Sequence, residues 1–317
     1  MFGNALGWAI SAIIVGATIW FLNILGEQGD ISPPGPVGLN AVNWTAQLPI
    51  EPATLAPYMV DPIDPAPLYA EAITLYVADQ YDLRRVERVT STKSADAQRW
   101  TRIMELLLRA GKSSRPVVFG PTPADVINYD PEPKLDAVRA IGAMAVRLAL
   151  LHSAEQDKDH ARQYAEAVFS LGAKMYAERL SFGQYSAAHS LLGDSSLLLA
   201  KFAEDAGQAQ RAATLQDFNS KRLATFNKEV DPVRRSVMVL EPDPGDMFAL
   251  ADRSAEPMWR VEAILALGRL RYSAERSGDK QGASKVVAAL CTSGDPRIRT
   301  AAIAARDLTV EQFRKLR

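Results

Sequence analysis

The sequence has one cysteine, Cys291, only three histidines among its 317 residues, and no Lys or Arg before Arg84. The lone cysteine excludes an intrachain disulfide and any cysteine-only zinc or iron–sulfur site built from one chain, while leaving export open. Also missing are GxxxxGK[ST], a GxGxxG that opens a helix after a strand, GxSxG, HExxH and Cx2C. The usual sequence marks of nucleotide, serine-hydrolase and zinc-protease chemistry are therefore absent. Thirty-six basic against 37 acidic residues leave a formal charge of −1. Nothing in that total points to a nucleic acid or an anionic surface. The basic clusters Arg84–Arg85–Arg88 and Arg234–Arg235 lack interleaved exposed aromatics, which argues against a nucleic-acid partner. A composition that is 48% hydrophobic and 23% charged excludes wholesale disorder.

The near-zero total is an average of unlike parts. Residues 1–83 hold eight acids and no base, whereas residues 84–317 hold 36 bases against 29 acids. From Leu6 to Leu25 the chain reads LGWAISAIIVGATIWFLNIL, twenty residues without a charge. As a helix this run is about 30 Å long, the thickness of a bilayer core. Leu6, Ile13, Gly16 and Leu25 lie in it, and Trp8 and Trp20 fall near its ends, where indoles favour the headgroup region. A cleaved signal peptide would carry a basic start, a shorter apolar run and a small-residue cleavage site, none of which is present. A core helix is the remaining alternative. The expectation is a transmembrane anchor over residues 1–25 in contact with the lipid bilayer. With nothing basic to hold residues 26–83 inside, the short N-terminus stays in and the long domain lies out. In a bacterial cell that domain would be periplasmic. Gly3, Gly7 and Ser11, and Ala12 with Gly16, form strips that would let two copies associate, although small residues are ordinary in any span.

Residues 26–67 contain nine of the nineteen prolines. Proline fixes φ and removes an amide donor, so this segment reads as an extended stalk, about 100 Å at full reach. Trp44, Leu48, Ile50, Tyr58 and Met59 imply that part of it docks on the domain. From residue 68 onward the periodicity is helical. Tyr69, Ile73, Tyr76 and Val77 form one apolar stripe; Trp100, Ile103, Met104, Leu107 and Leu108 form another. Residues 111–133, rich in Gly and Pro, make a long loop in which Val117-Val118-Phe119 reads as a short extended stretch. Four long helices are predicted over 134–230, with breaks near Gln156–Asp159, Ser181–Gly183 and Gly207. Short links make them antiparallel hairpins.

Two stretches resemble helical-repeat families. Leu199-Ala-Lys-Phe-Ala-Glu-Asp-Ala-Gly207, with Ala212 beyond it, is similar to the turn of tetratricopeptide repeats; the family's Trp, Leu-Gly pair and closing Pro are missing, so only the architecture carries over to residues 134–230. Residues 256–307 resemble two HEAT-type repeats 39 residues apart. Pro257 matches Pro296, Arg260 matches Arg299, and Ala263 and Ile264 match Ala302 and Ile303. Each copy starts with an acidic residue and a proline, a helix cap followed by a first-turn proline. Thr309–Gln312 has the spacing of a capping box.

Chemistry-bearing residues are sparse. His152 and His160 flank a turn containing Glu155, Asp157 and Asp159, read as a solvated joint. His189 reads as a helix-surface or groove residue, and Glu241, Asp243 and Asp246 as an acidic turn. No catalytic residue, cofactor or metal is expected. The expectation is an all-α protein: a membrane anchor (1–25), a stalk (26–67), helical hairpins (68–230) and HEAT-like helices (231–317), stacked as an α-solenoid. Stacked hairpins offer a concave surface, so the expected role is a scaffold for a protein or peptide outside the cytoplasm. An α/α enzyme or cofactor-handling protein with a site beside residues 111–133, and a structural subunit of a membrane complex, are the alternatives.

Overall fold

Proline and glycine punctuate the helices. The computed structural model describes residues 46–78, 86, 89–117, 119, 133–237, 243–272 and 277–315. The expected anchor (Leu6, Trp8, Ile13, Gly16, Trp20, Leu25), Trp44, Arg84, Arg85, Arg88, Val118 and Glu241 lie outside these residues. All described residues belong to one unit, Val37–Arg317.

The structure is all-helical; among the described residues no strand forms, and Asp61 pairs with Ser113 in an isolated bridge. A 3-10 turn (Pro52–Leu55) precedes α1 (Ala66–Ala78), the short α2 (Ala95–Arg99) and α3 (Thr101–Gly111). Four long helices follow: α4 (Pro133–Ala154), α5 (Lys158–Glu178), α6 (Phe182–Asp205) and α7 (Ala209–Thr225). Their joints fall at the breaks read from the sequence. A π-helical segment, Phe226–Val230, leads into α8 (Asp231–Val237), then α9 (Pro244–Arg253), α10 (Pro257–Leu270), α11 (Ser277–Leu290), α12 (Pro296–Asp307) and α13 (Val310–Lys315).

Helix α5 is the centre of the larger bundle. From Ala167 to Tyr176 every residue is buried, as expected of a helix enclosed on all sides, and it packs against α3, α4 and α6. Trp100, Ile103, Met104 and Leu107 of the predicted stripe bury into the same core. Leu48, Ile50, Tyr58 and Met59 also join it, and the Leu48 amide donates to the Tyr176 hydroxyl at 2.6 Å.

One described helix is long and apolar enough to cross a membrane: Leu135–Ala154, with mean hydropathy 1.3 and half its window buried in the domain. Helices α5 and α6 cover it, and its Arg147 donates to the Val89 carbonyl. That apolarity serves packing within this fold.

The C-terminal helices show what the matched residues do. Pro257 and Pro296 open α10 and α12 in the first turn. Arg260 Nε donates to the Ala251 carbonyl at 3.0 Å, and Arg299 Nη1 to the Ser293 carbonyl at 2.9 Å. Each arginine therefore ties its own helix start to the end of the preceding helix or turn. Ala263, Ile264 and Ala302 are fully buried, and Ile303 is half-buried. Gly268 brings α10 and α12 together: a Cβ there would lie 2.8 Å from Ala305 Cβ and 2.9 Å from Ala305 Cα. Thr309 and Gln312 form the expected reciprocal cap, Thr309 N to Gln312 Oε1 at 2.9 Å and Gln312 N to Thr309 Oγ1 at 3.2 Å.

Candidate functional site

Helix α6 carries the densest set of unusual side chains. Its N-terminus is fixed by Ser181, whose hydroxyl accepts from the Gln184 amide, and by Glu262 of α10, which accepts from the Phe182 amide at 2.9 Å. Arg179, held at φ 22° just before it, pairs with Glu256 at 2.9 Å and lies over the Tyr176 ring. A non-glycine residue in that backbone region is strained, and the buried Glu256 partner holds it there.

One turn further on, Tyr185 and His189 enter an aromatic cluster. His189 lies 4.3 Å from the Phe226 ring, centroid to centroid, and Tyr185 stacks against both rings. Phe226 opens the π-helical segment, an irregularity that often marks a functional position. The Tyr185 hydroxyl and His189 Nδ1 are buried and have no hydrogen-bond partner among the described residues, and neither has Trp259 Nε1. Burial, together with the Arg222 cation, pushes the His189 imidazole well below its usual range, so it is neutral at pH 7.

Arg222 of α7 closes the next turn. Its guanidinium donates to the His189 carbonyl at 2.9 Å and twice to Asn219 Oδ1. Burial lowers it to about 10. It can approach because Gly193 has no side chain: a Cβ there would sit 2.6 Å from Arg222 Nη2. Asp194 follows. Its side chain reaches solvent, yet burial pushes its carboxyl up to about 6, against the pull of Arg222. Asp194, Leu197 and Lys201 form an exposed stripe at i, i+3 and i+7 on a helix whose other faces are largely buried. Leu197 keeps 53% of its surface exposed.

Compared with known proteins, the chain matches no family model, no curated protein and no solved structure. The site must therefore be read from its own chemistry.

The other candidates separate clearly. His189 is a buried helix residue at 9% exposure rather than an open groove residue. Asp243 caps α9 by accepting from the Asp246 amide, a helix start rather than an ion cage. Arg234 pairs with Asp231 and lies over the Phe182 ring. Gly207 takes the left-handed φ of 73° that its turn requires, and Ala203 and Ala212, on the two helices that it joins, are buried. His152, Asp157 and His160 are brought together.

A buried Ser–Lys pair was not read from the sequence. Lys174 Nζ donates to Ser170 Oγ at 2.7 Å and to the Ser113 carbonyl at 2.8 Å, and burial lowers it to about 8. Ser113 in turn donates through its hydroxyl to the Ile63 carbonyl. With Ser170 and Ser113 fully buried, the group clamps the 61–64 segment and the start of the 111–133 loop onto α5. A serine followed four residues later by lysine in an apolar helix is the only signal the sequence held.

Proposed function

We propose that the chain is a single-pass, membrane-tethered protein of stacked helical hairpins whose domain, outside the cytoplasm, binds a segment of another protein along the exposed face of α6. The tether is residues 6–25 and rests on their uncharged length and terminal tryptophans. Support for binding comes from one observation above the rest: the Asp194–Leu197–Lys201 stripe, in which two opposite charges flank an exposed leucine over about 10 Å of helix. A partner segment of matching chemistry places a cation at Asp194, an apolar side chain on Leu197 and an acid at Lys201. Asp194, exposed and ionised at neutral pH, favours that cation, and covering the exposed part of Leu197 contributes about 1–2 kcal/mol.

The test uses the tagged full-length chain extracted from its host membranes. Retention of the co-purifying protein is expected to fall about tenfold in Leu197→Glu and Asp194→Lys and to stay unchanged in Val77→Glu, an exposed residue on α1. In wild type it weakens as pH drops through about 6, where Asp194 takes up a proton, and Asp194→Asn removes that dependence. Equal retention in all variants, or recovery of a bound small molecule and no protein, refutes the binding surface. Protection of residues beyond 84 from external protease refutes the topology.

A further inference from the structure

Two of the three histidines in the chain meet at one carboxylate oxygen. His152 Nδ1 lies 3.1 Å and His160 Nδ1 2.8 Å from Asp157 Oδ2, and a donor atom from each of the three residues falls within 4.8 Å of the others. The imidazoles stack at 5.2 Å, and Tyr164 stacks on His152 at 5.5 Å. This convergence is built by the backbone. Helix α4 ends in a turn in which Gln156 adopts φ 66° and the Asp157 amide bonds back to the His152 carbonyl at 2.8 Å. Asp157 then caps α5 through Oδ1, which accepts from the His160 amide, leaving Oδ2 directed at both rings. Glu155 is drawn away: its carboxylate accepts from the Thr92 amide, the Thr92 hydroxyl and the Ser91 hydroxyl.

We propose that His152, Asp157 and His160 form a binding site for a divalent transition ion of the zinc class, seated between the two Nδ1 atoms and Asp157 Oδ2. Zinc takes imidazole nitrogen and carboxylate oxygen at about 2.0–2.2 Å, so its tetrahedral ligands stand about 3.3 Å apart. The observed 2.8 and 3.1 Å need open by only a few tenths of an ångström. Binding uses the Nδ1 lone pair of each neutral imidazole, with the ring proton on Nε2, and sets a doubly charged centre against the Asp157 carboxylate. Exposure rises from 17% at His152 to 56% at His160, leaving solvent on the outer side to complete the coordination. The donor set of two nitrogens and one oxygen selects zinc-like ions over calcium and magnesium, which prefer all-oxygen shells. The ion would tie the end of α4 to the start of α5, beside the joint where Glu155 holds residues 91–92.

The test is titration of the untagged full-length protein with Co2+, followed by displacement with Zn2+. The expected result is one Co2+ per chain, with d–d absorption of a four- or five-coordinate site that Zn2+ abolishes. Asp157→Asn keeps an N-cap and removes the charged ligand, and His160→Ala removes an exposed imidazole, so both variants remain folded. Each is expected to weaken binding at least tenfold. Cys291→Ser is expected to leave it unchanged, and His189 is too deeply buried to compete. Absence of stoichiometric binding in the wild type, or binding that survives both Asp157→Asn and His160→Ala, overturns the site.

Discussion

At the scale of single residues, the domain holds several ionisable groups away from their ordinary state. Lys174 shows the consequence most cleanly. It is nearly fully buried, hydrogen-bonded to a serine hydroxyl and a carbonyl, and lowered to about 8 by burial from 10.5. Below pH 8 it is charged in both folded and unfolded states, and the fold bears the whole desolvation penalty. Between pH 8 and 10.5 the unfolded chain keeps more of the proton, so this group adds stability as pH rises, about 3 kcal/mol by the upper end. Urea unfolding at pH 7.5, 9 and 10.5 is expected to show that increment in wild type and its loss in Lys174→Met. An identical pH dependence in both proteins would place the lysine in a hydrated setting instead. None of this was legible in the sequence, where Ser170 and Lys174 are simply two polar residues in an apolar helix. The same holds for Tyr185, His189 and Phe226, whose contact needs a π-helical turn that no periodicity announces. His152 and His160 meet only because Gln156 accepts a left-handed conformation usually left to glycine.

At the scale of helices, sequence and structure agree closely, because the signals are local. Apolar stripes of period 3.6 place the long helices, and Pro257, Pro296, Gly207 and the Thr309–Gln312 cap mark their ends. The contact between α10 and α12 depends on one missing side chain. Gly268 faces the backbone of Ala305, which cannot swing aside, whereas a Cβ at Gly294 would meet nothing within 4 Å. Gly268→Ala is therefore expected to destabilise the protein by about 1–3 kcal/mol through overpacking, despite the better helix propensity of alanine. Gly294→Ala is expected to be neutral or slightly stabilising. Thermal unfolding of the two variants side by side checks this. Equal effects would mean that α10 and α12 are not in contact at Gly268. The arginines that match across the two copies, Arg260 and Arg299, make the same kind of bond to a preceding carbonyl, which gives their 39-residue spacing a mechanical meaning.

At the scale of the whole molecule, the amino-acid pattern separates an uncharged N-terminal run and an acidic, proline-rich segment from a moderately basic helical body. Part of that proline-rich segment docks: residues 46–64 lie on the helices, held by Leu48 at Tyr176 and by the Asp61–Ser113 bridge. The stripe on α6 escaped sequence reading because it is narrow. Asp194, Leu197 and Lys201 are interleaved with Leu191, Leu192, Leu198 and Leu199, so the helix reads as apolar on nearly every side. The proposed partner surface is this stripe. Its most direct test is a photo-crosslinker placed singly at positions 190, 194, 197 and 201 of the full-length chain in its native membrane, with positions 60, 77 and 310 as exposed controls. One crosslinked protein is expected, strongest at 194, 197 and 201 and absent at the controls. Crosslinks of equal strength at all seven positions, or at the controls alone, would contradict it.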